Sequence, residues 1–396
     1  MLYRRFGRTE IKMPVLSCGG MRYQYKWQDT PLNEIPLDNQ VNLENTIKAA
    51  LTSGINHIET ARGYGSSERQ LGQILPTIPR QELIIQTKIA PNSNPEEFVR
   101  LFHNSRNRLN LEYVDLLALH GINNEETLEW SIQKNGCLQA ARNLVKEGFV
   151  RHVGFSTHGP LDIILSAISH SENDGFDYVN LHWYYINQKN WPAIQEANKN
   201  DMGVFIISPS DKGGLLYKPS PTLLDLTFPW HPIVFNDLFC LMHPEVHTIS
   251  IGANKPTDFD LHLEAVKLLN RAQEIVAPIH ERMTKKMISV FGNEFVENSE
   301  IGLPSWKDTP GQINIPVILH LYKLAKAYGM VEYGQMRYNL FGNGGHWFPG
   351  QNAAKIDEYD VKSVLQNSPF AEQIPGLLKE AHHLLAKEAI HRLSES

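Results

Sequence analysis

Cysteine is scarce in this chain of 396 residues: Cys18, Cys137 and Cys240 stand far apart, with no CxxC pair among them. That spacing excludes a disulfide framework and a cysteine-built metal site. No stretch approaches the roughly 18 consecutive apolar residues of a membrane span. The opening MLYRRFGRTEIKMP turns polar at once, with no apolar region ahead of a small-residue cleavage site. These absences predict a cytoplasmic protein that does not engage a membrane. Lys and Arg never gather into a long run, and the formal net charge is −6, so the electrostatic footprint of a nucleic-acid binder is missing as well. No GxGxxG turn follows the first strand-like segment, which argues against an open doubly wound sheet.

What is present is the composition of an ordinary globular protein, 42% hydrophobic and 20% charged. Through the first 253 residues, eight short β-branched runs recur: VLSCGGM, HIETA, LIIQTKI, VDLLALH, VRHVGFS, YVNLHW, GVFIISP and HTISIGA. Most are nearly continuous in apolar character, as strands covered on both faces are. Between them lie segments with helical spacing, several opening on Pro or Asn and closing on Gly. The alternation predicts an α/β fold, a closed (β/α)8 TIM barrel over residues 1–275. YRRFGRTEIKMP, ahead of the first strand, reads as a hairpin closing the barrel floor. The seventh unit carries a long Pro- and aromatic-rich stretch, KGGLLYKPSPTLLDLTFPWHP, expected on the active-site rim. Beyond it, VILHLYKLAKAYG and IPGLLKEAHHLLAKEAIHRL flank a Gly-rich segment, and residues 276–396 read as a helical C-terminal domain.

Chemistry in such a barrel sits at the C-terminal ends of the strands. Those positions hold Glu59 and Tyr64 after the second strand, Lys88 ending the third and His120 ending the fourth. Carbonyl reduction needs a proton at the developing alkoxide. Tyr supplies one if its pKa falls from about 10, which a neighbouring ammonium promotes and a carboxylate sustains. His120 is placed to orient the carbonyl oxygen. A lone Lys or His at a strand end is more often structural, and Tyr64 between two glycines is by itself a turn residue. The conjunction on three adjacent strands is what points to a site.

HIETARGYGSSERQLG resembles the signature of the aldo-keto reductase superfamily, and QTKI and LLALHG resemble its next two motifs in the same order. The resemblance implies a catalytic tetrad of Glu59, Tyr64, Lys88 and His120, with Glu59 where the family usually has Asp. It also implies NADP(H) as cofactor. Gly20 and Met21 then lie beside the nicotinamide ribose, Ser156 and Thr157 of VGFSTHG hold the carboxamide, and Asn180 stands where Gln is common. The aromatic that often stacks on nicotinamide is here Ile207, so stacking is lost or falls to Trp183. Ser208 and the SDKGGL loop with Gly213 approach the pyrophosphate. SIGANKPTDFDLH, with Gly252, Asn254 and Lys255, receives the 2′-phosphate, although the usual Arg is absent from that segment.

The runs ETARGYG, LHGINNEE and GFSTHGP resemble the branch with a C-terminal ferredoxin-like domain, whose flanking text survives as PGQINIPVIL and QIPGLLKEAHHLL. Glu300, Leu303, Trp306 and Thr309 stand at the first set of ligand positions, and VKSVLQNSP also lacks cysteine, so no iron–sulfur cluster is expected. The tail is left as a lid or as a surface for a protein partner. The leading expectation is an NADP-dependent oxidoreductase acting on a small-molecule carbonyl substrate. An NADPH-sensing binding protein with little turnover, its tail contacting a partner, stays open, as does a sugar-oxidising enzyme using similar residues in reverse.

Overall fold

The computed structural model describes residues 1–387. Ten strands form: β1 (Tyr3–Arg5), β2 (Lys12–Pro14), β3 (Leu16–Gly19), β4 (His57–Glu59), β5 (Ile84–Ile89), β6 (Val114–His120), β7 (Val150–Ser156), β8 (Tyr178–Leu181), β9 (Gly203–Ile206) and β10 (Thr248–Ile251). The last eight close into a barrel in chain order, every pair parallel, with β10 bonded to both β9 and β3. They are the eight strands that the β-branched runs predict. All six residues of β5 are buried. Burial on both faces is why these runs lack clean polar alternation.

Helices α1 (Leu37–Thr52), α2 (Ser67–Ile74), α3 (Pro95–Leu109), α4 (Glu125–Ile132), α5 (Cys137–Lys146), α6 (Leu161–Ser169), α7 (Trp191–Lys199), α8 (Pro221–Thr227), α9 (Pro232–Leu241) and α10 (Asp260–Lys267) lie in the connections after the barrel strands. In α3 the local reasons are plain. The Asn94 side chain caps the Glu96 N–H, Pro95 opens the first turn, Arg106 and Arg108 sit in the last, and Asn110 takes the left-handed conformation. Its buried face, Phe98, Phe102, Ser105 and Leu109, repeats at helical spacing.

β1 and β2 form the antiparallel hairpin expected ahead of the barrel. Phe6, just past β1, is fully buried in one cluster with Met13, Ile84, Leu116, Ala118, Tyr178 and Phe205. The ring lies so close to Gly203, the first residue of β9, that a Cβ there would fall 2.6 Å from it. The end of the barrel opposite the strand C-termini is therefore filled by one aromatic plug.

The chain divides into two compact units. Among the described residues, one comprises Met1–Gly214 and Asn236–Ala272; the other comprises Leu215–Phe235 and residues 273–387. The second holds α8, α11 (Ala272–Phe291), α12 (Asn293–Asn298), α13 (Ile315–Tyr328), α14 (Val331–Tyr338) and α15 (Ile374–Leu385). The stretch after β9, expected on the rim of the barrel, thus belongs in large part to the helical unit. Ser220 both caps α8 and donates to the Tyr328 carbonyl at 2.6 Å, and Arg282 donates to the carbonyls of Leu226 and Phe228. The expected final helix runs on to residue 393 in the sequence, and its part beyond residue 387 lies outside the described residues. Among the described residues no helix is long and apolar enough to cross a membrane.

Emptying the floor of the barrel is the direct test of the plug. Phe6→Ala removes a fully buried ring from a cluster built around it, and should cost about 3–5 kcal/mol of barrel stability in urea titrations. A loss below about 1 kcal/mol, the size expected away from a packed core, would show that the hairpin is dispensable.

Candidate active site

Side chains alternate along a strand, so pairing fixes which residues look into the barrel together. Glu59 pairs with Gln86, Lys88 with Ala118, His120 with Ser156, and Ser156 with Asn180. These positions form the upper interior, at the C-terminal ends of the strands. The structure brings all four residues expected of the tetrad into one group. Lys88, 1% exposed, donates to the Glu59 carboxylate, to the Thr60 carbonyl at 2.9 Å and to the Tyr64 hydroxyl at 3.3 Å. The His120 ring meets Tyr64 edge-on, centroids 5.7 Å apart.

An ammonium this deep is disfavoured by burial. In Lys88 that penalty is outweighed by the charge of Glu59, by Tyr64 and by the hydrogen bonds to both, and its pKa lies above the ordinary lysine value. The glutamate reaches Lys88 with one oxygen and accepts from Ser250 with the other, at 3.2 Å. Room for the longer acid comes from Gly19, where a Cβ would stand 2.7 Å from Ser250 Oγ and 3.1 Å from Glu59 Oε1. The sequence left this geometry open; β3 and β10 settle it.

Across the mouth, Ser156 Oγ accepts from the Gly121 N–H at 3.2 Å. Asn180 is fully buried, and neither atom of its amide has a partner. A buried amide left unpaired is costly in a protein interior and marks a position where a ligand or water completes the bonding. Gly20 follows β3 directly, its N–H donating to the Glu59 carbonyl at 2.7 Å, and Met21 is half-buried beside it. After β9, Ser208 takes a positive φ of 56° and Gly213 one of 81°.

Two residues expected at the cofactor have side chains engaged elsewhere. The Thr157 hydroxyl donates to the Ile122 carbonyl at 2.7 Å and accepts from the Gly159 N–H at 2.9 Å, so it ties two loops together instead of facing the mouth. Trp183 is 2% exposed, stacked on Phe239 at 4.9 Å and packed against Trp191 and His243. One position past the inward-facing residues of β8, it points toward α7 and α9, and its face is closed to a nicotinamide.

Two residues escaped sequence reasoning. Arg22, 6% exposed, comes from the loop after β3 and reaches the end of β10, donating to the Gly252 carbonyl at 2.5 Å and lying 3.4 Å from Asp258. The segment that lacks its own arginine is supplied with one from elsewhere. Asp258 also accepts from the Asn254 N–H at 2.8 Å, and Lys255 is exposed ahead of the helical turn Pro256–Phe259. Trp27 meets the Tyr64 ring edge-on at 6.2 Å. Its loop is pinned by the Tyr25 N–H to Gln70 and the Ser66 N–H to Gln24. A run of polar residues after a strand carries no signal of either placement.

The family model for the aldo/keto reductase family matches residues 15–223, more than half of the chain. The chain belongs to the aldo/keto reductase family. Among curated relatives, D-arabinose 1-dehydrogenase of Saccharomyces cerevisiae is 31% identical over 162 residues, 38% of this chain and 44% of that protein. L-galactose dehydrogenase of Arabidopsis thaliana is 29% identical over 198 residues, 47% of this chain and 59% of that protein. These matches span less than two thirds of either relative. The holo form of aldo-keto reductase AKR11C1 from Bacillus halodurans superposes with a TM-score of 0.60 at 19% identity, covering 71% of this chain and 96% of that one. At that identity the likeness concerns the fold alone.

Below the tetrad of this aldo/keto reductase lies His57, fully buried, with Nδ1 2.6 Å from Ser17 Oγ. Burial, then the charge of Lys88, lowers its pKa to about 3, against a smaller opposing influence of Gln86. Between pH 6.5 and 3 the unfolded chain takes up a proton that the folded chain refuses. Stability from neutral His57 is thus complete above pH 6.5 and falls as the pH drops through that window. His57→Gln should flatten the acid limb by about one proton in urea midpoints measured against pH. An unchanged slope would place the acid sensitivity in other groups.

Proposed function

We propose that this chain reduces a carbonyl group to an alcohol with a reduced nicotinamide dinucleotide, NADPH ahead of NADH. The observation that carries the reading is the buried Lys88 ammonium held between the Glu59 carboxylate and the Tyr64 hydroxyl. When bound, the nicotinamide supplies hydride to the carbonyl carbon. Tyr64 gives the proton to the carbonyl oxygen as negative charge develops there. The Lys88 ammonium beside it favours the tyrosinate left behind, and Glu59 keeps that ammonium charged. His120, whose ring meets Tyr64 edge-on, orients the oxygen.

The residues present fit a dinucleotide. The unpaired amide of Asn180 matches the donor and acceptor of a carboxamide, with Ser156 adjacent in the pairing of β7 and β8. Gly20 and Met21 flank that position, and Ser208 and Gly213 offer the backbone after β9 to the pyrophosphate. Gly252, Asn254 and Lys255, with Arg22 among them, would hold the adenosine phosphates, and the two cations favour the additional 2′-phosphate.

Tyr64→Phe removes only the proton donor. The expected outcome is a kcat for a good aldehyde lower by about 10²–10⁴, with NADPH affinity by fluorescence titration nearly unchanged. Lys88→Met should move the pH profile of kcat alkaline, because the tyrosinate loses its neighbouring charge. Aldehyde turnover that survives Tyr64→Phe intact would overturn the reductive reading and leave a nucleotide-binding protein in its place.

A further inference from the structure

One pleat beyond the paired, inward-facing Ser156 and Asn180 lie His158 and His182, on the same face of the same two strand ends. Their rings meet at 4.5 Å, with His182 Nε2 3.0 Å from His158 Nδ1. Lys212, from the segment after β9, brings its Nζ to 3.0 Å from the same Nδ1. Three basic side chains from three consecutive strand ends thus converge on one point at the mouth.

Their backbones are held in place. The His158 N–H donates to Asn123 Oδ1 at 2.7 Å, and the His182 carbonyl accepts from Asn190 Nδ2 at 2.9 Å. Lys212 sits at φ 39°, next to Asp211 at 55° and ahead of two left-handed glycines. Left-handed backbone is unfavourable for a residue with a Cβ, and it persists where the surrounding structure imposes it, often at functional sites.

We propose that His158, His182 and Lys212 form a subsite that holds an anionic group, a carboxylate or phosphate, on the carbonyl substrate. His182 Nε2 and Lys212 Nζ both lie 3.0 Å from His158 Nδ1, and a carboxylate or phosphate oxygen is an acceptor that an ammonium and imidazole N–H groups can share. Charge-assisted bonds to an ammonium and to imidazole N–H groups are the strong class for such ligands. The ammonium in the set excludes a metal ion as the intended occupant. The unpaired Asn180 amide directly beneath shows that this wall of the mouth is built for a polar ligand.

The proposal rests on the reductive reading above, and the test separates the two. para-Carboxybenzaldehyde and its methyl ester are compared as substrates of the full chain with saturating NADPH. The acid should be preferred in kcat/KM by about tenfold or more, through KM, and Lys212→Met and His182→Asn should each lower that ratio by about tenfold. Calorimetric titration with the product acid, para-(hydroxymethyl)benzoate, which needs no turnover, should show the same weakening. No preference in the parent chain, or a ratio that neither variant moves, overturns the proposal. A ratio that stands while NADPH affinity falls assigns the cluster to the dinucleotide phosphates, and overturns it too. If neither aldehyde is reduced, the reductive reading fails, and the titration alone decides the subsite: binding lost in Lys212→Met supports it, and binding absent or unchanged refutes it.

Discussion

A lysine 1% exposed inside a barrel is held charged by its contacts, and much of the upper interior is arranged to supply them. An isolated ammonium in such a place would shed its proton, because the cost of stripping water from a charge far exceeds the stability of a domain. Glu59 provides the opposing charge, the Thr60 carbonyl a second acceptor and Tyr64 a third. Glu59 has its own support: Ser250 bonds its free oxygen, and Gly19 leaves the space in which that oxygen sits. Substituting the longer acid for the usual aspartate is therefore a matter of three strands and not of one side chain.

The barrel interior is layered accordingly. At the floor, Phe6 and its apolar neighbours exclude water. Above them His57 and Gln86 form a polar layer that stays neutral beneath the ammonium. At the top, the charged group and the unpaired Asn180 face the mouth. Stability comes largely from the layer that does no chemistry, which leaves the strand ends free to carry groups that a core would reject.

The loops extend this division. The segment after β3 carries both Arg22, which reaches the end of β10, and Trp27, which meets Tyr64. The segment after β9 passes through left-handed backbone at Asp211–Gly214 before the chain enters the helical unit at Leu215. Gly214 is where that path comes so near Arg22 that a Cβ would stand 2.6 Å from the guanidinium carbon. A glycine there is required by contact with a side chain almost two hundred positions away in the sequence.

That distance marks the boundary between what could be read along the chain and what could not. Eight parallel strands were readable because strands buried on both faces must be apolar throughout, and Glu59, Tyr64, Lys88 and His120 were readable because strand ends and local turns place them. Alternation along a strand is local, so it carried Ser156 and Asn180 to the mouth as well. Arg22 was not readable, since its contact with Gly252 joins residues 230 positions apart and depends on how β3 and β10 close the barrel. The packing of Trp183 was not readable either, since one step of alternation turns it into the aromatic group of Trp191, Phe239 and His243. The stretch 215–235 was read with the barrel because it is continuous with it, yet Ser220 and Arg282 bind it into the helical unit. The sequence by itself determined the strands, the order of the barrel and the strand-end positions of Glu59, Tyr64, Lys88 and His120, because these follow from periodicity and local turns. Only the tertiary structure decided how a glutamate fits beside Lys88, which loops lend their cations and which compact unit each segment joins, because those depend on contacts that no local pattern encodes.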